Sequence, residues 1–439
     1  WPVTLNYRFD GATPVDQIRY IPRQDGGSNG NFGRVEFSYS TKENPNTYIV
    51  LATDDFAFSN KIRTVRFAQT IIPQTIRVVV RSGYNNFASA AEMEFYRKNP
   101  AATSVADYSN IFTDDMATAL KAGVTQDDIN AMSSAYFRSL AQCMFNGTYQ
   151  EAQRNRLYGP QMNVSTISSR YKIGTYDQYI NPTGIFVEAG NYYAVFAKGI
   201  PAGQSVSLRV RDFEAEGSSV QSVYVIENGM NVFKATTRGL AYFIYFNDNP
   251  ASPNIQLHFA SGLVNGVAES GKTTSTQWQN MIDNSIYSKI DVMSRYTHTV
   301  ARKDHLASFN PTSPQELMDQ YDRVQKGELD FMGFFKYNKP INNRMFIMVE
   351  GSGGYFAGGT GVHLDSSWGL PNLFAPNGLD FWGIPHEFGH INQVRPDIKW
   401  HGTTEVTTNI YSAWTYYHMA NFGSSTRHMR LESETGGKT

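Results

Sequence analysis

The chain has 439 residues, too many for one ordinary hydrophobic core, so several domains are expected. Its 38 Lys and Arg nearly balance 39 Asp and Glu, and a net charge of −1 gives no electrostatic case for nucleic acid or an anionic membrane. Only 18% of residues are charged while 14% are aromatic, which suits β-rich modules of extracellular type better than a helical cytosolic enzyme.

No stretch approaches the roughly 18 continuous apolar residues of a membrane-spanning helix. The first residue is Trp1 rather than Met, and both ends read as cut, so a missing leader does not argue against export. Cys143 is the single cysteine and forms no intrachain disulfide. Its apolar surroundings, Leu140-Ala-Gln-Cys143-Met-Phe, place it as a small buried hydrophobe rather than a reactive thiol.

Residues 1–98 read as strands. Residues 4–9, 17–22, 35–39, 64–67 and 76–81 alternate apolar and polar side chains between Gly, Asn and Pro, the pattern of a β-sandwich. The phrases Gln17-Ile-Arg-Tyr-Ile-Pro-Arg23, Asn29-Gly-Asn-Phe-Gly-Arg-Val-Glu-Phe-Ser-Tyr-Ser40, Ile76-Arg-Val-Val-Val-Arg-Ser82 and Ala90-Ala-Glu92-Met-Glu-Phe-Tyr96 occur in that order. Together they resemble the discoidin-type galactose-binding modules that accompany many bacterial carbohydrate-active enzymes, without that family's first third. The resemblance implies sugar binding by loops at one end, here Arg23, Asn29, Asn85, Asn86 and Phe87, and a structural Ca2+ near Glu92. An aromatic ring can stack on a sugar face while Arg and Asn bond its hydroxyls. Asn and Gly are also what turns require, so a purely structural role stays open.

Residues 99–165 read as a helical connector, with helical spacing over 114–121 and a Thr125-x-x-Asp128 start signal for a second helix. Strand patterns return over 166–265 and predict a second β-sandwich. Next, Gly266-Val-Ala-Glu-Ser-Gly-Lys272-Thr273 matches a phosphate-binding loop letter for letter. Antiparallel strands precede it without βα alternation, so the match reads as a polar linker, and no nucleotide is expected.

Residues 270–439 alternate helix and strand. A strand is expected over 344–350, and after a glycine-rich passage residues 360–364 are the candidate for an edge strand pairing with substrate; a plain glycine loop is the alternative. The chemistry concentrates in Ile384-Pro-His386-Glu387-Phe388-Gly389-His390. On a helix, His386 and His390 share one face and can share a metal, while Glu387 can reach a water beside it. Tetrahedral zinc needs a third ligand, and Glu405 is the candidate, with Thr403-Thr404 capping its helix and Asn409 on its face as a partner for a ligating histidine. Gly389 costs its helix roughly 1 kcal/mol, and lacking a side chain it lets another element come close.

These features resemble the gluzincin metallopeptidases. With Gly389, Gln393 and Thr403-Thr-Glu405-Val-Thr-Thr-Asn409-Ile, they resemble most closely the enhancin-like branch that attacks mucins and other O-glycosylated proteins. The resemblance implies Zn2+ on His386, His390 and Glu405, Glu387 as general base, and Asn409 where many members have Asp. It also implies more helical chain after the third ligand; the oxyanion group is unassigned, with Tyr416, Tyr417 and His418 the nearest candidates. The expected architecture is multidomain: two β-sandwich modules joined by a helical connector, then an α+β zincin-type metallopeptidase domain. The expected protein is a secreted or bacterial cell-surface monomer that meets glycans and mucin-like glycoproteins. The alternative is a glycan-binding adhesin with a catalytically silent peptidase-like domain.

Overall fold

The computed structural model describes residues 1–23, 27–97, 104–215, 220–339, 341–376 and 378–419. The chain divides into two units, Trp1–Asp107 and the part from Tyr108 onward. In the first, β1 (Val3–Arg8), β2 (Val15–Ile21), β3 (Arg34–Ser40), β4 (Ile49–Asp55), β5 (Arg63–Ile71), β6 (Thr75–Val80) and β7 (Glu92–Tyr96) form two sheets, β1-β6-β3-β4 and β5-β2-β7. Alternation drives their packing. β3 sends Val35 and Phe37 inward and β6 sends Ile76, Val78 and Val80, in an antiparallel register that sets Phe37 against Val78. The buried Tyr20 hydroxyl accepts the Phe32 N–H at 3.1 Å and donates to the Ser89 carbonyl at 3.0 Å.

The second unit opens with α1 (Gln126–Asn130), α2 (Ala135–Phe145), α3 (Glu151–Arg154), β8 (Asn155–Tyr158) and α4 (Val164–Tyr171). Thr125 and Asp128 form a capping box at the start of α1. The helical spacing over 114–121 does not become a helix. The Asp114 carboxylate accepts the Met116 and Thr118 N–H groups at 3.0 and 3.1 Å, and this local bonding bends the backbone into a turn. Cys143 is exposed rather than buried, because α2 buries the stripe of Phe137, Leu140 and Ala141 and Cys143 falls outside it.

A β-sandwich follows, built from β9 (Pro182–Val187), β10 (Tyr192–Lys198), β11 (Val206–Arg211), β12 (Gln221–Ile226), β13 (Gly229–Lys234), β14 (Gly239–Ile244), β15 (Ile255–Phe259) and β16 (Leu263–Val264). Its sheets are ordered β13-β10-β15-β8 and β12-β11-β14-β9-β16, so one strand comes from the stretch read as connector. Val195, Leu208, Phe243 and Leu257 fill the space between the sheets. β9 and β14 are buried at every position because their outer face is covered too, with Phe186, Leu240 and Tyr242 packed against Val300, Phe346 and Met348.

The remaining chain runs β17 (Val267–Glu269), α5 (Ser275–Asn284), β18 (Lys289–Met293), β19 (Thr297–Arg302), α6 (Lys303–Phe309), α7 (Gln315–Phe331), β20 (Met345–Glu350), β21 (Phe356–Gly358), β22 (Gly361–Asp365), α8 (Pro371–Phe374), α9 (Gly383–Asn392) and α10 (Thr404–Met419). Its six strands are ordered β17-β18-β19-β20-β22-β21. The sandwich covers one face of this sheet. On the other, Ile347, Val349, Val362 and Leu364 pack with Val324 of α7 and Ile384 and Phe388 of α9. Among the described residues no helix is long and apolar enough to cross a membrane.

The stretch read as a polar linker is partly a sheet strand. β17 lies inside the phosphate-loop match instead of before its first glycine, and α5 begins after Lys272 and Thr273. Lys272 pairs with Glu269 at 2.9 Å and the Thr273 hydroxyl accepts the Glu269 N–H at 2.7 Å, so both motif side chains close their own turn. That geometry offers no phosphate cradle.

Sandwich and sheet share one buried ionic contact. His298 donates toward Asp177 at 2.8 Å and Asp291 at 2.9 Å, and the Tyr242 hydroxyl donates to Asp291 at 2.7 Å. Burial opposes charge on His298, but the two carboxylates outweigh it and raise its pKa from the ordinary 6.5 to about 9. A folded pKa above the unfolded one gives a stabilisation that is full below pH 6.5 and lost as pH rises through about 9. Thermal melts of the wild type should therefore drop across that window. His298→Asn should melt lower at neutral pH and lack that slope; an unchanged slope would exclude a charged His298.

Candidate metal centre

The site rests on two antiparallel helices. Asp380 starts α9: its carboxylate accepts the Trp382 and Gly383 N–H groups, both at 2.9 Å, and Pro385 sits in the first turn, where no N–H is missed. Ile384, Phe388 and Ile391 turn into the core, which leaves His386 and His390 side by side with ring centroids 4.8 Å apart. α10 lies against α9 at Gly389, where an added Cβ would stand 3.1 Å from the Cβ of Tyr411.

That approach brings Glu405 to the histidines. Its Oε2 is 3.1 Å from His386 Nε2 and 3.2 Å from His390 Nε2. Ligand atoms about 2.0–2.1 Å from a tetrahedral ion lie roughly 3.3 Å from one another, so this carboxylate oxygen already stands from each imidazole at the spacing of a zinc donor set. Asn409 Oδ1 is 3.0 Å from His386 Nδ1 and accepts its proton, which leaves Nε2 with a free lone pair. Burial holds His390 below its usual pKa, favouring the neutral imidazole a metal requires. Slight desolvation of Glu405 is outweighed by the two imidazoles, which keep its carboxyl below the usual range.

Glu387 stands within 4.8 Å of both histidines, and its buried Oε2 has no protein partner. Burial first and Glu405 second push its pKa up to about 7, with His386 opposing them. A carboxylate poised there can take and return a proton near neutrality.

Further contacts, unread in the sequence as structural devices, hold the two helices. Gln393, directly after α9, donates to the Thr404 carbonyl and the Thr407 hydroxyl, both at 2.8 Å. Asn392 accepts from Tyr176 at 2.7 Å and donates to Glu328 at 2.8 Å, and Tyr411 donates to the Asn392 carbonyl at 3.0 Å. Burial holds the Glu328 carboxyl well above its usual pKa, against the Asn392 bond. The sequence signal for Gln393 was its place three residues past His390; nothing in the local pattern marked Glu328.

A cleft of about 450 Å³ opens over the metal site, lined by Glu387, His390, Glu405 and residues 355–359. The edge of the sheet is β21. Residues 360–364, the expected edge, are largely β22, which pairs on both sides with β20 and β21 because the glycine-rich passage folds back as an extra strand. Tyr416 follows Glu405 by three helical turns, about 16 Å of rise, and Tyr417 and His418 lie farther still, so none of these lines the cleft. The phenol that does is Tyr355, stacked on Trp368 at 4.8 Å and visible in the sequence as an aromatic amid glycines.

In the first unit, Asn85 donates to Asn29 at 2.7 Å, which ties two of the loops expected to meet a sugar. Asn85 and Asn86 have φ of 55° and 60°, a turn role in its own right, while Phe87 is 61% exposed beside them. Arg23 is exposed at the end of β2. Glu92 is exposed on β7 and belongs to no cluster of three metal-ligating side chains among the described residues.

Residues 265–439 match the family described as Peptidase M60, enhancin and enhancin-like. The match takes in both helices of the metal site. A metallopeptidase from Bacteroides thetaiotaomicron shares 21% identity and a TM-score of 0.64 over 75% of this chain and 58% of its own. A metallopeptidase in complex with Tn antigen shares 20% and 0.57, over 63% of this chain and 54% of its own. The structure of the CBM32-1, CBM32-2 and M60 catalytic domains of Clostridium perfringens ZmpB shares 16% and 0.54, over 98% of this chain and 48% of its own. At these identities the likeness shows a common fold, and the chain spans about half of each relative's length. No curated protein matches the chain.

An M60 peptidase domain calls for a metal, and the donor set described above fits one. Asn409→Ala should weaken zinc binding about 10- to 100-fold in a chelator competition, whereas Asn409→Asp should bind at least as tightly as wild type. Equal affinity in all three would show that Asn409 does not act on the ligand.

Proposed function

We propose that the chain is a zinc-dependent gluzincin endopeptidase that cuts mucin-type O-glycosylated proteins, secreted or held on a bacterial surface. In this reading the first unit is a discoidin-type galactose-binding module that keeps the enzyme on glycans. The observation that carries the catalytic part is the single Glu405 oxygen within 3.1–3.2 Å of both imidazoles, with Glu387 buried and unpartnered beside them. The Tn antigen complex of one structural relative and the carbohydrate-binding domains named in another support the glycoprotein part.

His386, His390 and Glu405 would hold the zinc, which when bound supplies Lewis acidity toward a peptide carbonyl and the attacking water. Glu387 takes the proton from that water as it attacks the carbonyl carbon, and returns it to the amine as the C–N bond breaks. Its two roles need one carboxyl that is easily protonated and deprotonated, which its burial favours. The substrate backbone runs along β21, whose outer N–H and C=O groups are those of a sheet edge. Asn409 keeps His386 in the tautomer that offers Nε2, and Gln393 keeps Glu405 in register with both histidines.

Incubation with an O-glycosylated mucin, with and without chelator, tests this reading. The wild type should release fragments only without chelator. Glu387→Gln should retain zinc and lose activity by at least about a thousandfold, since it removes the proton carrier and leaves the three ligands. Full cleavage by Glu387→Gln would overturn the assignment, and intact mucin retained on the protein would identify a silent adhesin. The same assay on deglycosylated mucin reads whether the glycan is part of the substrate.

A further inference from the structure

The peptidase sheet has a second cleft, about 800 Å³ against about 450 Å³ over the metal site, on the face turned to the sandwich. It begins at the edge that the substrate would use. Phe356 of β21 pairs with His363 of β22, their rings stack at 4.2 Å, and both line this second cleft. Ala357, paired with Val362, belongs to the helix-side core instead. An extended chain laid on β21 alternates its side chains in the same way, so every second one leaves the metal side and points toward the second cleft.

The walls are chemically divided. At the edge Phe356 offers an exposed aromatic face, while Phe346 and Met348 of β20 lie farther in, buried against the sandwich. Farther in stands Lys289, 7% exposed, whose ammonium reaches the Val349 carbonyl at 3.4 Å, longer than an ordinary N–H···O bond. The acids around it are engaged elsewhere: Glu350 with His363 at 3.0 Å and Glu214 with Arg238 at 3.3 Å. Burial lowers the Lys289 pKa, and Glu350 and Glu214 act against that from a distance. Among the described residues no carboxylate comes within ion-pair distance of Lys289. A buried ammonium in a polar cleft, with no paired anion among the described residues, is a costly arrangement unless an anion visits.

The size says what kind of anion. The volume is that of a pocket for a drug-sized ligand, well above one acidic amino-acid side chain. Val349 lies on β20, two strands in from β21, roughly 10 Å from the edge and a disaccharide's reach from a glycosylated side chain. We propose that this cleft binds an acidic sugar of the substrate's glycan, its carboxylate or sulfate on Lys289 and the ring of the preceding sugar on Phe356 at the edge. The delivery of that sugar rests on the peptidase reading above, whereas the binding itself does not.

The test is titration of the full chain with N-acetylneuraminic acid, galactose 6-sulfate and neutral galactose, at low and high salt, by calorimetry or saturation-transfer NMR. At least one acidic sugar should bind about tenfold or more tighter than galactose, the gain expected of a charge-assisted bond, and should weaken at high salt. Preference for one acid identifies the carboxylate or the sulfate as the natural group. Lys289→Met should lose that tenfold and leave any galactose binding unchanged. Equal binding of acidic and neutral sugars, or equal acid binding by Lys289→Met and wild type, overturns the proposal. If thermal melts show Lys289→Met unfolded, the acid preference and salt dependence of the wild type decide alone. Because sugar binding requires no turnover, a chain that binds acids and cuts no mucin would keep this site and overturn the peptidase reading instead.

Discussion

The metal centre depends on the contact of Tyr411 with Gly389. A ligand helix usually needs its neighbour at a distance set by side chains on both surfaces. Here one surface is bare, and an added Cβ would meet the Tyr411 ring at about the distance where real contacts already strain. The closeness lets a short Glu side chain on α10 reach both imidazoles of α9 with one oxygen. Either side of that contact, Asn409 and Gln393 fasten the helices by polar bonds, so their relative slide is fixed as well as their separation.

Behind α9 the support is polar where an apolar core would be ordinary. Tyr176, Gln325, Glu328 and Asn392 form a buried network that meets the helix two residues past His390. Directional bonds specify an orientation that apolar packing leaves looser, at the cost of desolvating a carboxyl. The raised pKa of Glu328, driven by its burial, favours the neutral carboxyl, for which that cost is smaller. The sheet then adds its own constraint: Val362 and Leu364 face the helices while His363 faces the sandwich, so one hairpin borders two clefts of different chemistry.

What the sequence revealed depended on how local the signal was. His386, Glu387 and His390 are spaced by one helical turn, and the fourfold spacing of Glu405 and Asn409 made their shared face legible too. The alternation of Val35, Phe37, Ile76 and Val78 likewise marked strands before any partner was known. The misreadings have identifiable causes. Asp114 looked helical by spacing, yet its side chain competes for the same backbone N–H groups that a helix would use. Residues 360–364 read as an edge because the folded-back strand before them is only Phe356-Ala357-Gly358, set in a glycine-rich passage that carries little pattern. Gln393 and Glu328 act across the fold, through partners 11 to 64 positions away, and no window along the chain holds both ends of such a bond.

The burial of β14 on both faces sets where this chain can be divided. Ala241 and Phe243 belong to the sandwich, whereas Leu240, Tyr242 and Ile244 belong with the peptidase sheet. A fragment cut at the family's own boundary, residue 265, would leave Phe346, Met348 and Val300 as a bare apolar plate, and would strip His298 of Asp177. The unit of inheritance marked by sequence similarity is thus smaller than the unit that can stand in water. What reads as an accessory domain is the missing wall of the domain that carries the metal site.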